Sequence, residues 1–411
     1  MNSLHDSQFT RRDALKYGMA LAATTALGSA VTPNIFAAQP AARTGGVTLS
    51  GHRLTRPLAI TMWDFSWLER RWPGAGYEDW DQALDELKLR GYDALRIDVY
   101  PHLIAADAER EWELLPNWNN QDWGSPARNL VRVQPALNEF IAKCGERGLL
   151  VGLSTWFRQD VDNIRMKITT PEELGRIWIS ALDSIEPKLH RHIFYVDLCN
   201  EFPLSARHFL PAGFKRATPE GERWMRDSIA LVRKAYPQFS YTFSFGSELD
   251  TWKQQDVSFH DVLDPHVWMT TFSDFYKQVG YNFDRFDSKG YENLVANGER
   301  LYRSKPLHWQ SRLEYGINQM AEWSRVSGKP LICTECWGIV DYKDWPLLNW
   351  DWVKELCDLG VRWATATECW VAMATSNFCG PQFRGMWRDV AWHRRLTDMI
   401  HNGKIRSLRS P

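Results

Sequence analysis

Charge of one sign is what this chain most conspicuously lacks: 49 Lys and Arg stand against 50 Asp and Glu, a formal net charge of -1 over 411 residues. With no excess of either sign there is no electrostatic case for a polyanion or an anionic membrane surface, so nucleic acid is not an expected partner. Glycine-rich phosphate cradles, dinucleotide fingerprints and the ligand spacings of metal sites are missing as well. Nucleotide-, NAD- and metal-dependent chemistries therefore lose ground, and no cofactor is expected. Cysteine is sparse, at 7, and the odd number leaves at least one thiol unpaired, the rest being open between buried thiols and disulfides. Cys333 and Cys336 form a C-x-x-C, but no second pair completes a zinc ribbon and no helix start follows; they read as strand and strand-end residues. Fixed-period repeats and low-complexity tracts are absent too, so a single domain is expected.

What is present begins at the N-terminus. Thr10-Arg11-Arg12-Asp13-Ala14-Leu15-Lys16 precedes an apolar, Ala-rich run from Tyr17 to Val31, and Phe36-Ala37-Ala38 offers a small-residue cleavage site. This resembles a twin-arginine export signal, which implies a periplasmic or secreted product. A membrane anchor is the alternative, but the run is short and rich in small residues, so no stable membrane span is expected after cleavage. Residues 1–45 are excluded from the fold, and residues 46–411 are long enough to bury one large core.

The chain carries 22 Trp. Flat aromatic faces stack on the apolar C–H faces of sugar rings, whereas core filling accounts for roughly half of these indoles. Short β-branched or aromatic runs alternate with amphipathic stretches, the pattern of a parallel sheet with crossover helices. The candidate strands are Leu58 to Trp63, Ala94 to Val99, Leu149 to Thr155, Ile193 to Leu198, Ser240 to Phe245, Val262 to Val267, Leu331 to Cys333 and Val361 to Thr367. Expected helices include one on Trp80, Leu84 and Leu87 that stops at Gly91, one on Leu137, Ile141 and Cys144 that runs toward Gly148, then Pro171 to Ile185, Pro219 to Ala235, Leu313 to Val326, Trp350 to Leu359 and Trp387 to Ile400. This is an α/β chain, a single (β/α)₈ barrel. The longest irregular stretch, Thr270 to His308, follows the sixth strand, on the face where barrel active sites lie; it shapes a cleft or else makes a surface excursion or an oligomer contact.

Two strands end abruptly in polar side chains. The fourth, Ile193-Phe194-Tyr195-Val196-Asp197-Leu198-Cys199, ends in Asn200-Glu201, and the seventh, Leu331-Ile332-Cys333-Thr334, ends in Glu335. Asn-Glu after the fourth strand and Glu after the seventh resemble the clan of barrel glycosidases that contains the family 5 cellulases and mannanases, a likeness in strand order over nearly the whole mature chain. The resemblance implies a retaining β-glycosidase acting on a β-glucan, β-mannan or related oligo- or polysaccharide. In it Glu201 is the acid/base, Asn200 holds the sugar 2-hydroxyl and Glu335 is the nucleophile. Retention needs two carboxyl groups about 5 to 5.5 Å apart, which a barrel supplies from two strand ends. Arg96, in an otherwise apolar second strand, requires a carboxylate partner; pairing with Glu335 would lower the pKa of that carboxyl. His266 ends the sixth strand where the family carries a histidine, unless it is simply a satisfied core histidine. Trp370 matches the family's platform under the cleaved sugar.

The sequence departs from the family twice. Trp268 stands where a tyrosine usually follows the histidine by two, and an indole can donate but cannot accept a proton. Ser154-Thr155-Trp156 stands where a histidine is expected after the third strand. This is a divergent branch, so the substrate does not transfer from the cellulases. Trp63, Trp156, Trp268, Trp337 and Trp370 all fall near expected strand ends, and about three of them are expected to line the cleft. The tetrapeptide Thr-Glu-Cys-Trp occurs at Thr334 to Trp337 and again at Thr367 to Trp370. Glu368 is thus a rival nucleophile; strand order favours Glu335 and leaves Glu368 to hold a sugar hydroxyl. The competing reading of the whole chain is a non-catalytic carbohydrate-binding protein on the same barrel, since fold does not dictate function.

Overall fold

The computed structural model describes residues 46–117, 124–282, 287–342 and 349–407. The expected export signal and leader, residues 1–45, fall outside them. The described residues form one compact unit. Among the described residues no helix is long and apolar enough to cross a membrane.

Eight parallel strand positions close on themselves. They are β1 Leu58–Thr61, β2 Ala94–Asp98, β3 Leu150–Ser154, β4 Ile193–Asp197, β5 (Tyr241–Thr242 and Ser244–Phe245), β6 (Asp264–Pro265 and Val267–Trp268), β7 Leu331–Cys333 and β8 Trp370–Met373. Each pairs with the next from β1 to β5, β5 pairs with β6, and β7 pairs with β8. The ring closes through β8 on β1 and through the Leu263–Leu331 bridge between β6 and β7. In β2 the period of two puts Leu95 and Ile97 against the outer helices, while Ala94, Arg96 and Asp98 face the interior. Gly152 of β3 leaves space inside the barrel, where an added Cβ would stand 2.5 Å from the Tyr195 ring.

The helices start and stop as their sequences dictate. Thr170 caps Pro171–Asp183 in a capping box with Glu173, and Thr218 caps Pro219–Ala235, each with Pro in the first turn. Gly91 and Gly148 follow helices Trp80–Leu89 and Val133–Glu146 with φ of 87° and 65°, the left-handed geometry that glycine adopts at least cost. At the foot of the barrel a hairpin, Val47–Leu49 with His52–Leu54, packs Leu49 and Leu54 against Ile60, Phe194 and Ile332. Its turn is tied to β5, with Ser50 N–H donating to Ser240 Oγ at 2.9 Å.

Two expectations are corrected here. Val361 to Thr367 is not the eighth strand but the end of helix Asp351–Thr367, whose buried residues Val353, Leu356, Cys357, Gly360, Val361 and Ala364 recur at helical spacing. The true β8 begins at Trp370. The Thr270 to His308 stretch is not irregular, since it holds helices Phe275–Val279 and Lys289–Ser304, and Pro306–Ser327 begins within it. All seven cysteines are buried free thiols.

Candidate active site at the barrel mouth

The side chains at the upper ends of β2, β4, β6 and β7 converge on Arg96. Its guanidinium is fully buried and lies within 4 Å of four carboxylates: Asp64 at 2.8 Å, Glu335 at 2.9 Å, Asp264 at 3.6 Å and Asp197 at 3.8 Å. One fork nitrogen, Nη2, donates both to Glu335 Oε1 at 2.9 Å and to Asn200 Oδ1 at 2.7 Å, while Nη1 donates to Thr334 Oγ1 at 2.8 Å. A rigid planar fork can hold β4 and β7 in register in this way; a lysine could not.

Glu201 sits just beyond β4 with φ of 48°, a left-handed conformation that costs a non-glycine residue about 1 kcal/mol or more. Ser244 holds it there: the Glu201 N–H donates to Ser244 Oγ at 2.8 Å, and the Phe202 N–H to Ser244 O at 3.0 Å. The Glu201 carboxylate packs against Gly246, where an added Cβ would fall 2.0 Å from Oε1. His266 bridges the two glutamates, its Nδ1 3.0 Å from Glu201 Oε1 and 3.6 Å from Glu335 Oε1. One carboxylate oxygen from each glutamate and one ring nitrogen of His266 all lie within 4.8 Å of one another.

Burial alone would lower the His266 pKa, but Glu335, Glu201 and Asp264 together hold it up to about 10. The imidazole is thus a cation wedged between carboxylates. Burial pushes the Glu335 carboxyl up to about 8, with Glu201 adding to the push and His266 and Arg96 opposing it. This reverses the expected direction, in which Arg96 would dominate; with Glu335 only 1 % exposed, desolvation outweighs the arginine. The same three ligand-type atoms could in principle serve a metal. Arg96 Nη2, 2.9 Å from Glu335 Oε1, already supplies a cation to that carboxylate.

Of the residues singled out in the sequence, Glu201, Glu335, Asn200, Arg96 and His266 form this one cluster. Trp156 joins it from β3, donating its indole N–H to Asp64. Trp268 stands T-shaped to His266 with ring centroids 5.7 Å apart, and Trp63 packs on Phe383 at 4.8 Å. Trp337 and Trp370 are not brought to the cleft. Trp337 is fully buried against helix Asp351–Thr367, its Cβ 2.5 Å from where a Cβ on Gly360 would be, and Trp370 lies beside it at 6.1 Å. Trp370 opens β8 rather than following it, opposite Leu331 at the start of β7, so it cannot be the platform; Ala374-Thr375-Ser376-Asn377 follows the strand instead. Glu368 caps the preceding helix at the foot of the barrel, its backbone oxygen accepting from the Arg406 N–H at 2.8 Å, and is neither nucleophile nor hydroxyl ligand of this site.

Sequence reading missed Asp64, the buried residue beyond β1 that joins Arg96 to Trp156, and Gly246, which makes room for Glu201. Asp64 had a signal, a polar residue directly after an apolar strand; Gly246 had none that could be read locally. A cleft of about 600 Å³ opens beside Glu201, walled by Glu248, Asp250, Trp268, Phe272 and Tyr276. The stretch after β6 therefore does shape a cleft. Two buried donors of this region, Asn200 Nδ2 and Trp268 Nε1, have no hydrogen-bond partner among the described residues.

The sequence profile of a family described as cellulase-like and sugar-binding matches residues 60–401. Among solved structures, a protein from Parabacteroides distasonis described as a candidate glycoside hydrolase is 52% identical, with a TM-score of 0.83, covering 85% of this chain and 95% of that one. More distant likenesses include a glycoside hydrolase family 5 mannosidase from Rhizomucor miehei, 10% identical with a TM-score of 0.46 over 78% of this chain and 81% of that one. No curated protein matches.

Proposed function

Because the chain belongs to the sugar-binding cellulase-like family, we propose that it is a glycoside hydrolase that cleaves a β-glycosidic bond with retention of configuration. The observation that carries this reading is the spacing of two buried glutamates at opposing strand ends, their nearest carboxylate oxygens within 4.8 Å. Retaining enzymes hold their carboxyl groups about 5 to 5.5 Å apart, whereas inverting enzymes need about 6.5 to 9.5 Å to admit a water.

In the proposed reaction Glu335 attacks the anomeric carbon while Glu201 gives its proton to the departing glycosidic oxygen; Glu201 then takes a proton from water as the ester on Glu335 is hydrolysed. Arg96 and the His266 cation favour the ionised form of Glu335 that attack requires, and Asn200 Nδ2 supplies the free donor for the sugar 2-hydroxyl. No cofactor enters this scheme. The substrate class is a β-glucan, β-mannan or related β-glycoside, and the Arg11-Arg12 leader would deliver the folded enzyme to the periplasm or beyond.

Incubation with a panel of 2-deoxy-2-fluoro glycosyl fluorides tests this directly. A mass gain mapped to Glu335 is expected, together with a Glu201→Ala variant active only on substrates with good leaving groups. No adduct with any sugar, alongside calorimetric binding of an intact oligosaccharide, would instead mean a carbohydrate-binding protein without catalysis.

A further inference from the structure

The cleft beside Glu201 touches one catalytic candidate and not the other. Glu201 is among its walls and Glu335 is not. An acid that protonates the glycosidic oxygen must contact the leaving group, and the nucleophile stands on the far side of the anomeric carbon. The space next to Glu201 and away from Glu335 therefore belongs to the leaving group, or to an acceptor in the reverse sense. Its size falls within the roughly 300–1,000 Å³ of small-molecule sites.

Its chemistry is one-sided. Glu201, Glu248 and Asp250 all contribute to its walls, and among the described residues no lysine, arginine or histidine lines it. Glu248 is fixed by the Arg216 and Ala217 N–H groups, at 3.1 and 2.8 Å. Trp268, only 4 % exposed, lines the wall and carries a buried indole N–H with no acceptor among the described residues, and Phe272 and Tyr276 add aromatic surface. Aromatic faces and an unpaired donor suit a hydroxylated ring. A carboxylate on that ring would meet the Glu248 and Asp250 carboxylates at the wall, while the cation nearest Glu201, His266, stands behind it and not among the lining residues.

We propose that this cleft is a leaving-group and acceptor subsite selective for neutral sugars, and that it excludes uronic acids. The inference rests on the retaining reading above. In the acceptor direction an acceptor hydroxyl oxygen attacks the anomeric carbon of the glycosyl-enzyme. The bond to Glu335 breaks, releasing its carboxylate, and the hydroxyl proton passes to Glu201.

The test uses the isolated 2-fluoroglycosyl-enzyme and follows its reactivation by methyl glycosides of glucose, mannose and galactose, each beside the matching uronate. A neutral glycoside is expected to reactivate saturably and about tenfold more efficiently than its uronate, roughly the effect of one like-charge contact in a wet cleft. Asp250→Lys, at an exposed rim position, should bring the pair toward parity, and Trp268→Phe should weaken the neutral acceptor about fivefold through the lost N–H. Equal reactivation by both acceptors, no reactivation by any neutral glycoside, or a ratio unmoved by Asp250→Lys would each overturn the subsite while leaving the nucleophile intact. Failure to form any glycosyl-enzyme would remove the retaining reading itself, and this inference with it.

Discussion

The tetrapeptide Thr-Glu-Cys-Trp occurs twice, and its two copies lie at opposite ends of the barrel. In the first, Thr334 accepts from Arg96 and donates to Asp264, Glu335 receives the same guanidinium, and both side chains are buried. In the second, Thr367 closes a helix, Glu368 turns the chain with φ of 59° at a half-buried corner, and Trp370 disappears between β8 and the helix layer. The first glutamate follows a strand; the second precedes one. In a parallel barrel that difference alone separates the mouth, where side chains from several strands converge, from the foot, where apolar packing holds the hairpin and strand starts together. Identical local sequence thus carries reactive groups in one place and a turn in the other.

The largest expected contrast is between the two glutamates. Glu335→Gln should lower kcat by roughly a thousandfold or more, whereas Glu368→Gln should leave kcat and KM at wild-type values. Comparable losses in both would abolish the distinction between the two ends. Next in size, Asp64→Ala removes a buried carboxylate that accepts from both the Arg96 Nε and the Trp156 indole, and should cost about 3 to 5 kcal/mol in denaturant unfolding. A cost within the range of ordinary surface changes would mean that the mouth is not held by this charge network. Gly246→Ala drives a methyl into the space of Glu201 Oε1, so kcat should fall roughly ten- to a hundredfold while the melting temperature moves little; unchanged kcat would show that Glu201 has freedom the packing denies it. The smallest effect is a shift in pH. The His266 cation lowers the Glu335 pKa, so His266→Asn must raise it, moving the ascending limb of kcat/KM to higher pH than in the wild type. His266 itself has a folded pKa raised to about 10 from about 6.5. Its stabilisation is present in full below the lower value and is lost as pH climbs through the higher, a dependence that the asparagine variant should lack.

Much of this was legible in order along the chain. β2 and β4 read as strands because their apolar residues face the helices while Arg96 and Asp197 interrupt them, and an apolar strand that stops at Asn200-Glu201 or at Glu335 marks a functional end wherever parallel strands form a barrel. The helix Asp351–Thr367 misled because it is buried along most of one side, so its last two turns form an apolar run of strand length. That error displaced β8 by several residues, and with it Trp370 and Glu368 from foot to mouth.

Residue order along the chain was enough for the barrel class, most of its strands and helices, and the glutamates, arginine and histidine that meet at its mouth. Periodicity and abrupt changes of polarity are local properties of a chain, and these residues announce themselves in that way. It took the folded chain to show that Asp64 joins Arg96 to Trp156 across separations of 32 and 92 residues, that Glu201 needs the bare backbone of Gly246, and that burial of Glu335 outweighs its arginine. Those facts depend on contact between distant segments and on the exclusion of water, neither of which is set before the ring of strands has closed.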